Sequence, residues 1–296
     1  MAETLISRKE TVVRMGPSQP TVVIGERINP TGKEWLKQAV REGSWDVIAR
    51  LAREQADAGA RIIDVNVTMP GIDEVGSLRR AAEAAQEAVS APLCLDSNDP
   101  QALAAALEVC DGRVIINSVD GNEDRLRSIL PLAKRHGAAV IGLTMDKESG
   151  IPKTVERRVA IARRILDAAV AAGLGPEDLI IDCLTLAVSA DQAMGPVALE
   201  TIRTVSTELG LNVNMGVSNI SFGLPERNLL NAIFISMACA AGLTCAIVNP
   251  HSRQVMAAIE ASDVLLGRDR RSRNFLRSYR ARLQEKERAG ESGEAH

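Results

Sequence analysis

The fold class this sequence predicts is α/β, a single (β/α)8 barrel (a TIM barrel), on three observations. From about residue 22, a short β-branched run ending in polar residues and followed by an Ala-rich amphipathic stretch recurs eight times. No sharp change in composition separates the repeats, which favours one closed sheet over two domains or an open doubly wound sheet. The chain has 296 residues, enough for a barrel of ~250 residues with short ends.

The predicted strands are Val22–Arg27, Arg61–Val67, Pro92–Ser97, Arg113–Ser118, Ala138–Thr144, Asp178–Leu184, Asn212–Asn219 and Cys245–Pro250. Helical spacing fills the intervals, as in Asp46–Ala58, Leu78–Val89, Arg125–His136, Val155–Ala172 and Ala198–Leu209. Gly59, Gly137, Gly173, Gly210 and Gly242 fall near helix ends, where a left-handed cap is common. Strands alternating with helices imply a parallel sheet. Val23, Ile63, Leu93, Ile115, Ile141, Ile181, Met215 and Ile247 are the expected shared hydrophobic layers of the barrel. No glycine-rich nucleotide loop of the GxGxxG or GxxxxGK[ST] type occurs.

Two pieces flank the barrel, dividing the chain into 1–21, 22–267 and 268–296. At the N-terminal end, Thr11–Met15 is expected to pair with Thr21–Gly25 across the turn 16–20, in a hairpin covering the N-terminal mouth. After Gly267 the chain becomes Arg-rich, then acidic and polar, and reads as a charged helix fraying into a disordered tail.

Composition narrows the function. Aromatic residues make up only 2% of the chain, too few for the stacking platforms of single-stranded nucleic-acid binding. A net charge of -3 argues against a polyanion binder. No apolar run reaches the ~20 residues a membrane span needs, and no secretory signal is expected. Cys94, Cys110, Cys183, Cys239 and Cys245 form no CxxC pair and read as buried free thiols of a cytoplasmic protein.

In such barrels catalysis is built at the C-terminal ends of the strands. Here those ends are rich in carboxylates and amides: Glu26, Asn29, Asp64, Asn66, Asp96, Asn98, Asn117, Asp146, Asp182, Asn219 and Asn249. One such Asn is ordinary turn chemistry; their presence at all eight ends is a site signal. The three histidines, His136, His251 and His296, do not supply a three-His zinc site, and cysteine-assisted zinc through Cys94 or Cys183 is disfavoured by their packing periodicity. A Schiff-base aldolase would need a lysine at a strand end; Lys147 and Lys153 lie in the loop after the fifth strand, and the other strand ends carry none. Asp64, Asp96 and Asp182 leave a Mg²⁺ site of the enolase kind open. Paired carboxylates and amides also suit an organic ligand with an edge of adjacent N–H and NH2 groups, as in a pterin.

In Gly25-Glu26-Arg27-Ile28-Asn29, Leu95-Asp96-Ser97, Ile116-Asn117-Ser118, Ile141-Gly142-Leu143-Thr144-Met145, Ile181-Asp182 and Gly216-Val217-Ser218-Asn219-Ile220-Ser221, the sequence resembles the methyltetrahydrofolate-dependent corrinoid methyltransferases. These are pterin-binding barrels, and the resemblance covers about residues 22–267. It implies transfer of a methyl group between N5 of methyltetrahydrofolate and the cobalt of a corrinoid (cobalamin) carried by a partner protein, with no permanently bound metal. It implies that Asp96, Asn117 and Asp182 hold the pterin ring. Asn219 is implied beside N5, with Asp182 or water as proton relay, so Asn219 and Asp182 are the catalytic pair. Gly142, Met145, Ser218 and Arg227 complete the substrate-binding set. The family further suggests a homodimer formed through barrel helices. Phe222 and Cys183 stand where some relatives carry Gln and Pro, so a Gln-dependent contact is not expected.

Dihydropteroate synthases are the alternative within the pterin-binding superfamily. They carry Ser-Phe-Ser-Asp-Gly after the first strand and Ser-x-Arg at the last; this chain has Asn29-Pro30-Thr31-Gly32-Lys33 and Asn249-Pro250-His251. A folate-binding subunit without turnover is the non-enzymatic alternative, against which the intact Asp96, Asn117, Asp182 and Asn219 set argues.

Overall fold

The computed structural model describes residues 2–291, with side chains through residue 284. Ten strands form: β1 (Thr4–Arg8), β2 (Thr11–Met15), β3 (Val22–Ile28), β4 (Ile62–Asn66), β5 (Leu93–Asp96), β6 (Ile115–Asp120), β7 (Ala139–Leu143), β8 (Leu179–Asp182), β9 (Asn212–Asn214) and β10 (Cys245–Val248). The last eight make one sheet in the order β10-β3-β4-β5-β6-β7-β8-β9, with every registered pair parallel. The ring closes through a bridge between Gly216 and Ile247, where the Ile247 N–H donates to the Met215 carbonyl at 3.0 Å. Below it the Thr244 N–H donates to the Val213 carbonyl at 3.1 Å.

Helices α1 (Glu34–Arg41), α2 (Trp45–Asp57), α3 (Glu74–Ala88), α4 (Pro100–Leu107), α5 (Glu123–His136), α6 (Val155–Ala171), α7 (Met194–Thr204), α8 (Arg227–Ala241) and α9 (Arg253–Leu265) surround the barrel. Their ends follow from local chemistry. The Asp73 carboxylate accepts the Gly76 N–H at 3.1 Å to start α3, and Asp99, before Pro100, accepts the Gln101 N–H at 2.8 Å to start α4. Helix α10 (Arg273–Glu291) realises the charged helix expected after Gly267 and ties to α9 by an Arg282–Glu260 contact of 2.9 Å. The tail's predicted disordered end falls on 292–296, outside the described residues. Among the described residues, no helix is long and apolar enough to cross a membrane.

The expected hydrophobic layers need correction. Ile115, Ile141 and Ile247 do belong to the cluster inside the barrel, with Val22, Ile24, Ile62, Cys94, Ala139, Ile180 and Cys245. Val23, Ile63, Leu93, Ile181 and Met215 lie in the larger cluster between sheet and helices. Strands of a parallel barrel are buried on both faces, so their apolar runs are continuous and do not reveal which residue points inward.

The hairpin also differs from expectation. Strand β2 pairs antiparallel with β1, not with Thr21–Gly25, through a turn at Lys9-Glu10. Lys9 takes a positive φ of 50° there, a position without the glycine or asparagine that usually marks a two-residue hairpin. Thr21–Gly25 instead runs into β3 of the barrel. Ile6, Val13 and Met15 on one hairpin face join the lumen cluster, so the hairpin plugs the N-terminal mouth. The plug is pinned by a bridge between Ser7 and Arg113, in which the Arg113 N–H donates to the Ser7 carbonyl at 2.7 Å. Gly112, at φ 80°, permits this approach: a Cβ there would collide with that carbonyl.

The other end of the chain is fastened nearby. The Arg268 guanidinium, buried, donates to the Leu243 carbonyl at 2.8 Å and the Cys239 carbonyl at 3.0 Å. The Asp263 carboxylate accepts both the hydroxyl and the backbone N–H of Thr21, at 2.7 and 2.9 Å.

The plug predicts a pair of stability outcomes. Ile6 is fully buried, so Ile6→Ala should cost about 2–5 kcal/mol in chemical denaturation. Leu5, on the opposite hairpin face and 36% exposed, should cost less than about 1 kcal/mol on the same truncation. Equal losses would contradict the assignment of the hairpin's inner face.

Candidate active site

Above the apolar floor, the next inward-facing position on each strand is polar on six of the eight strands. Glu26 stands on β3, Asp64 on β4, Asp96 on β5, Asn117 on β6, Asp182 on β8 and Asn214 on β9. Leu143 and Ile247, packed against the lumen cluster, hold the corresponding places on β7 and β10. Asp96 pairs with Asn117, Leu143 with Asp182, and Asp182 with Asn214, whereas Asp64 pairs with Cys94 and Asn117 with Ile141, so the polar positions form a staggered ring around the barrel. Of the residues expected to grip a pterin, Asp96 and Asn117 are direct neighbours and Asp182 lies on a separate strand, all three at the C-terminal ends of the strands.

Two polar groupings occupy that ring. On one side the Asn117 amide donates to Asp64 at 3.3 Å, and the Asn66 amide donates to Asp96 at 2.8 Å. Glu74 stands behind Asp96 and accepts the hydroxyl of Thr68 at 2.8 Å as well as that of Ser97. On the other side Asp182 accepts the Leu184 N–H at 2.8 Å on one oxygen and the Asn214 amide at 2.6 Å on the other. Desolvation dominates the electrostatics. Burial pushes Asp96 up to about 6, opposed by the Asn66 hydrogen bond and reinforced by Glu74. Burial likewise pushes Asp182 up to about 6, against the Leu184 N–H, the Asn214 amide and the Arg158 charge. Asp64 is held well above the ordinary carboxylate range by burial and by the Asp96 charge beside it. Glu26 is raised by burial against the pull of Lys33, Arg227 and Arg27. Such a ring accepts hydrogen bonds from a neutral, N–H-rich ligand edge without demanding a cation.

The remaining predicted residues are placed differently. The seventh barrel strand stops at Asn214, so Asn219 does not end it; Asn219 is exposed in a 3-10 turn, Val217–Ser221. Gly216 and the half-buried Ser218 lie on the same short arch. The Asn219 amide nitrogen folds back to within 3.4 Å of where a Gly216 side chain would begin. Arg227 sits at the start of α8, donates to the Ser218 carbonyl at 2.7 Å and the Ser221 hydroxyl at 3.1 Å, and lies 5.8 Å from the Phe222 ring centroid. Met145 is half-buried just beyond β7. Gly142 is turned away from the lumen: a Cβ there would lie 3.0 Å from Ile165 and 3.3 Å from Ile181. Alternation gives the lumen to Leu143 instead.

A cavity of about 710 Å³ opens beside this ring and is lined by Glu26, Ser218, Arg227, Asn231, Asn249 and Ser252, among others. It takes in Ser218 and Arg227, while Asp96, Asn117, Asp182, Met145 and Asn219 stand outside its wall. Glu26 connects the two, since its charge acts on Asp64. The paired carboxylates stand in the ring, and the cavity adjoins it as an annex.

Sequence reasoning placed Glu26 at a strand end without giving it a role, and left Asn214 and Arg158 out of the site. Glu26 lies within a motif that was read, but its inward direction depends on strand register. Arg158 is fully buried on α6 and donates to the Cys183 and Leu184 carbonyls at 2.7 Å each and to the Pro152 carbonyl at 2.7 Å. It anchors the loop that follows Asp182, in which Leu184 takes a positive φ of 49°. Among the described residues, no group of three or more His, Cys, Asp or Glu could hold a metal ion.

The raised carboxylates make stability depend on pH. Asp96 rises from an ordinary 3.8 to about 6 in the folded chain, so its contribution is full below 3.8 and lost as pH climbs through about 6. Asp96→Asn does not titrate and can still present an oxygen to Asn66. Its melting temperature should match wild type near pH 4 and exceed it by a few degrees above pH 6, measured by calorimetry across that window. A difference independent of pH would contradict the burial assigned to Asp96.

The sequence matches the pterin binding enzyme family over residues 25–249. It is 35% identical over 265 residues to the methylcorrinoid:tetrahydrofolate methyltransferase of Eubacterium limosum, covering 88% of this chain and 96% of that protein. It is 32% identical over 260 residues to the methionine synthase of Mycobacterium leprae, covering 83% of this chain and 22% of that longer protein. Among solved structures, the Yersinia pestis DHPS with a pterine-sulfa conjugate superposes at a TM-score of 0.66 with 14% identity, over 88% of this chain and 99% of that one. A Xanthomonas albilineans dihydropteroate synthase superposes at 0.64 with 16% identity, over 89% and 98%. These two likenesses concern the fold, an eight-stranded pterin-binding barrel. By sequence and fold together, this chain belongs to the pterin binding enzyme family, among its methyltetrahydrofolate-dependent corrinoid methyltransferases.

Proposed function

We propose that the chain is an enzyme that moves a methyl group between N5 of methyltetrahydrofolate and the cobalt of a corrinoid held by a partner protein. The observation that carries this reading is the match across 96% of a methyltransferase named for those two substrates. The polar ring supports it: Asp96, Asn117 and Asp182 surround one lumen, with acidities that leave the two aspartates anionic acceptors at neutral pH. Asp64 beside them is raised further above the ordinary carboxylate range by burial and by the Asp96 charge, and accepts the Asn117 amide. The synthase alternative is not favoured, because Lys33 spends its ammonium group on the Arg27 and Asn29 carbonyls, at 3.0 and 3.1 Å, where a diphosphate grip would be needed.

Asp96 and Asp182 each accept N–H groups of the pterin, and Asn117 supplies both a donor and an acceptor. Asn219, exposed on its arch, reaches N5 from the solvent side of the ring. An amide does not give up a proton at neutral pH, but it can turn from donor to acceptor as N5 gains one, with Asp182 or water relaying the proton. Arg227, fixed by Ser218, Ser221 and Phe222, holds the arch in place and lends charge to the annex cavity, which suits the outer part of a folate. The open mouth admits a corrinoid carried by another protein, and alignment of cobalt, methyl carbon and N5 is the main catalytic device.

Helix α8 leaves Leu229, Ile233 and Met237 exposed on one face at intervals of four residues, at 47, 53 and 49%. Together with the family resemblance, this stripe supports a homodimer through barrel helices that leaves the mouth free. The five free thiols suit a cytoplasmic protein.

Two measurements test the assignment. In calorimetry with methyltetrahydrofolate, Asp96→Ala and Asp182→Ala should each weaken binding by ~1–3 kcal/mol; unchanged affinity in both would refute the grip. In single-turnover methylation of cob(I)alamin at saturating methyltetrahydrofolate, Asn219→Ala should lose ~10²–10³ in rate, with a smaller loss of affinity. A rate within about threefold of wild type, far short of that loss, would remove Asn219 from the mechanism. For the assembly, sedimentation should show a dimer that Ile233→Glu converts to monomer; a wild-type monomer at micromolar concentration would contradict it.

A further inference from the structure

Asn214 lies directly across from Asp182 in the register of β8 and β9 and is fully buried. Its amide nitrogen donates to Asp182 at 2.6 Å, the shorter of the two hydrogen bonds that carboxylate accepts. Its amide oxygen faces the Cys245 thiol of β10 at 3.7 Å, and that thiol's single proton is shared with the Val213 carbonyl at 3.6 Å. The two ends of an asparagine amide are nearly the same shape, so the partner at one end decides which group faces the other. A thiol donor below selects the oxygen, and the nitrogen is left to point at Asp182. The Leu184 N–H occupies the second carboxylate oxygen at 2.8 Å. Both oxygens are therefore fixed by donors from the sheet and the loop, and their remaining lone pairs are available to the mouth.

We propose that Asn214 is a positioning residue: it sets the plane of the Asp182 carboxylate and keeps it a hydrogen-bond acceptor toward the barrel mouth, with the Cys245 thiol setting the direction of the Asn214 amide. The role this gives Asn214 in ligand recognition rests on the folate reading; its hold on Asp182 does not. The other groups facing Asp182 are few. Arg158 comes from α6, Cys183 follows it in the chain, and Cys245 lies across the floor. Burial pushes both thiols up, so they stay neutral, and Arg158 is spent on the loop carbonyls. Asn214 is thus the side-chain donor that counters the desolvation of Asp182, beside the Leu184 backbone N–H.

The test follows the Asp182 carboxyl carbon by NMR in the ligand-free full chain, labelled with ¹³C-aspartate and assigned by its loss in Asp182→Asn. The wild-type midpoint should fall near 6. Asn214→Leu, similar in bulk but without a donor, should move it up by about one pH unit or more. Asn214→Ser, which keeps a donor, should move it less, and Cys245→Ala should move it in the same direction as Asn214→Leu. If Asn214→Leu does not fold, Asn214→Ser and Cys245→Ala decide. Midpoints unchanged in every folded variant would overturn the proposal. Calorimetry with methyltetrahydrofolate separates the two readings. If wild type binds, the pH below which affinity is lost should rise in parallel with the midpoint. Absence of binding by wild type would overturn the folate reading and leave the Asn214 result standing.

Discussion

Side chains of a strand alternate between two faces, and in a closed parallel barrel both faces are buried. That constraint governs this molecule. On each strand only every second residue reaches the lumen, so the site is assembled from single residues on separate strands. Ile62 then Asp64, Cys94 then Asp96, Ile115 then Asn117, and Ile180 then Asp182 repeat one step from apolar floor to polar ring. The hairpin seals the floor with Ile6, Val13 and Met15, so solvent approaches the ring from the C-terminal mouth. A one-residue slip in any strand would replace a carboxylate by Val65, Leu95 or Ile181.

The floor is what gives the ring its chemistry. Carboxylates standing on an apolar layer lose solvation, and both Asp96 and Asp182 are driven to about 6 for that reason first. The surrounding donors limit the effect: Asn66 for Asp96, Leu184 and Asn214 for Asp182. These acids destabilise the folded chain at neutral pH, as a site prepared for a ligand does. Arg158 bears a similar cost, since it is fully buried with one guanidinium nitrogen lacking a hydrogen-bond partner. Its other nitrogens hold the loop that gives Asp182 its Leu184 N–H.

Much of this was legible in the sequence. Eight β-branched runs each ending in polar residues locate the barrel, and Asp96, Asn117 and Asp182 lie at the strand ends where those runs place them. Direction was not legible where apolar runs are continuous: Val23 and Ile63 face helices, and Gly142 faces Ile165. The extent of the seventh strand was overread because Met215, Val217 and Ile220 continue the apolar pattern through a 3-10 turn, which moves Asn219 off the sheet. The hairpin escaped because Lys9-Glu10 carries no turn signal, while Gly16, Pro17 and Pro20 offered a false one. Asn214 and Arg158 act through contacts distant in sequence, which no local pattern reports.

Methyl transfer between folate and cobalt is the activity for which this site is built. The direct measurement is the visible spectrum of cob(I)alamin mixed anaerobically with methyltetrahydrofolate and the wild-type protein. The account predicts enzyme-dependent loss of the Co(I) bands, growth of the methylcobalamin spectrum, and one tetrahydrofolate formed per methyl group moved. A spectrum that changes no faster than the protein-free control, while methyltetrahydrofolate is bound, would contradict it.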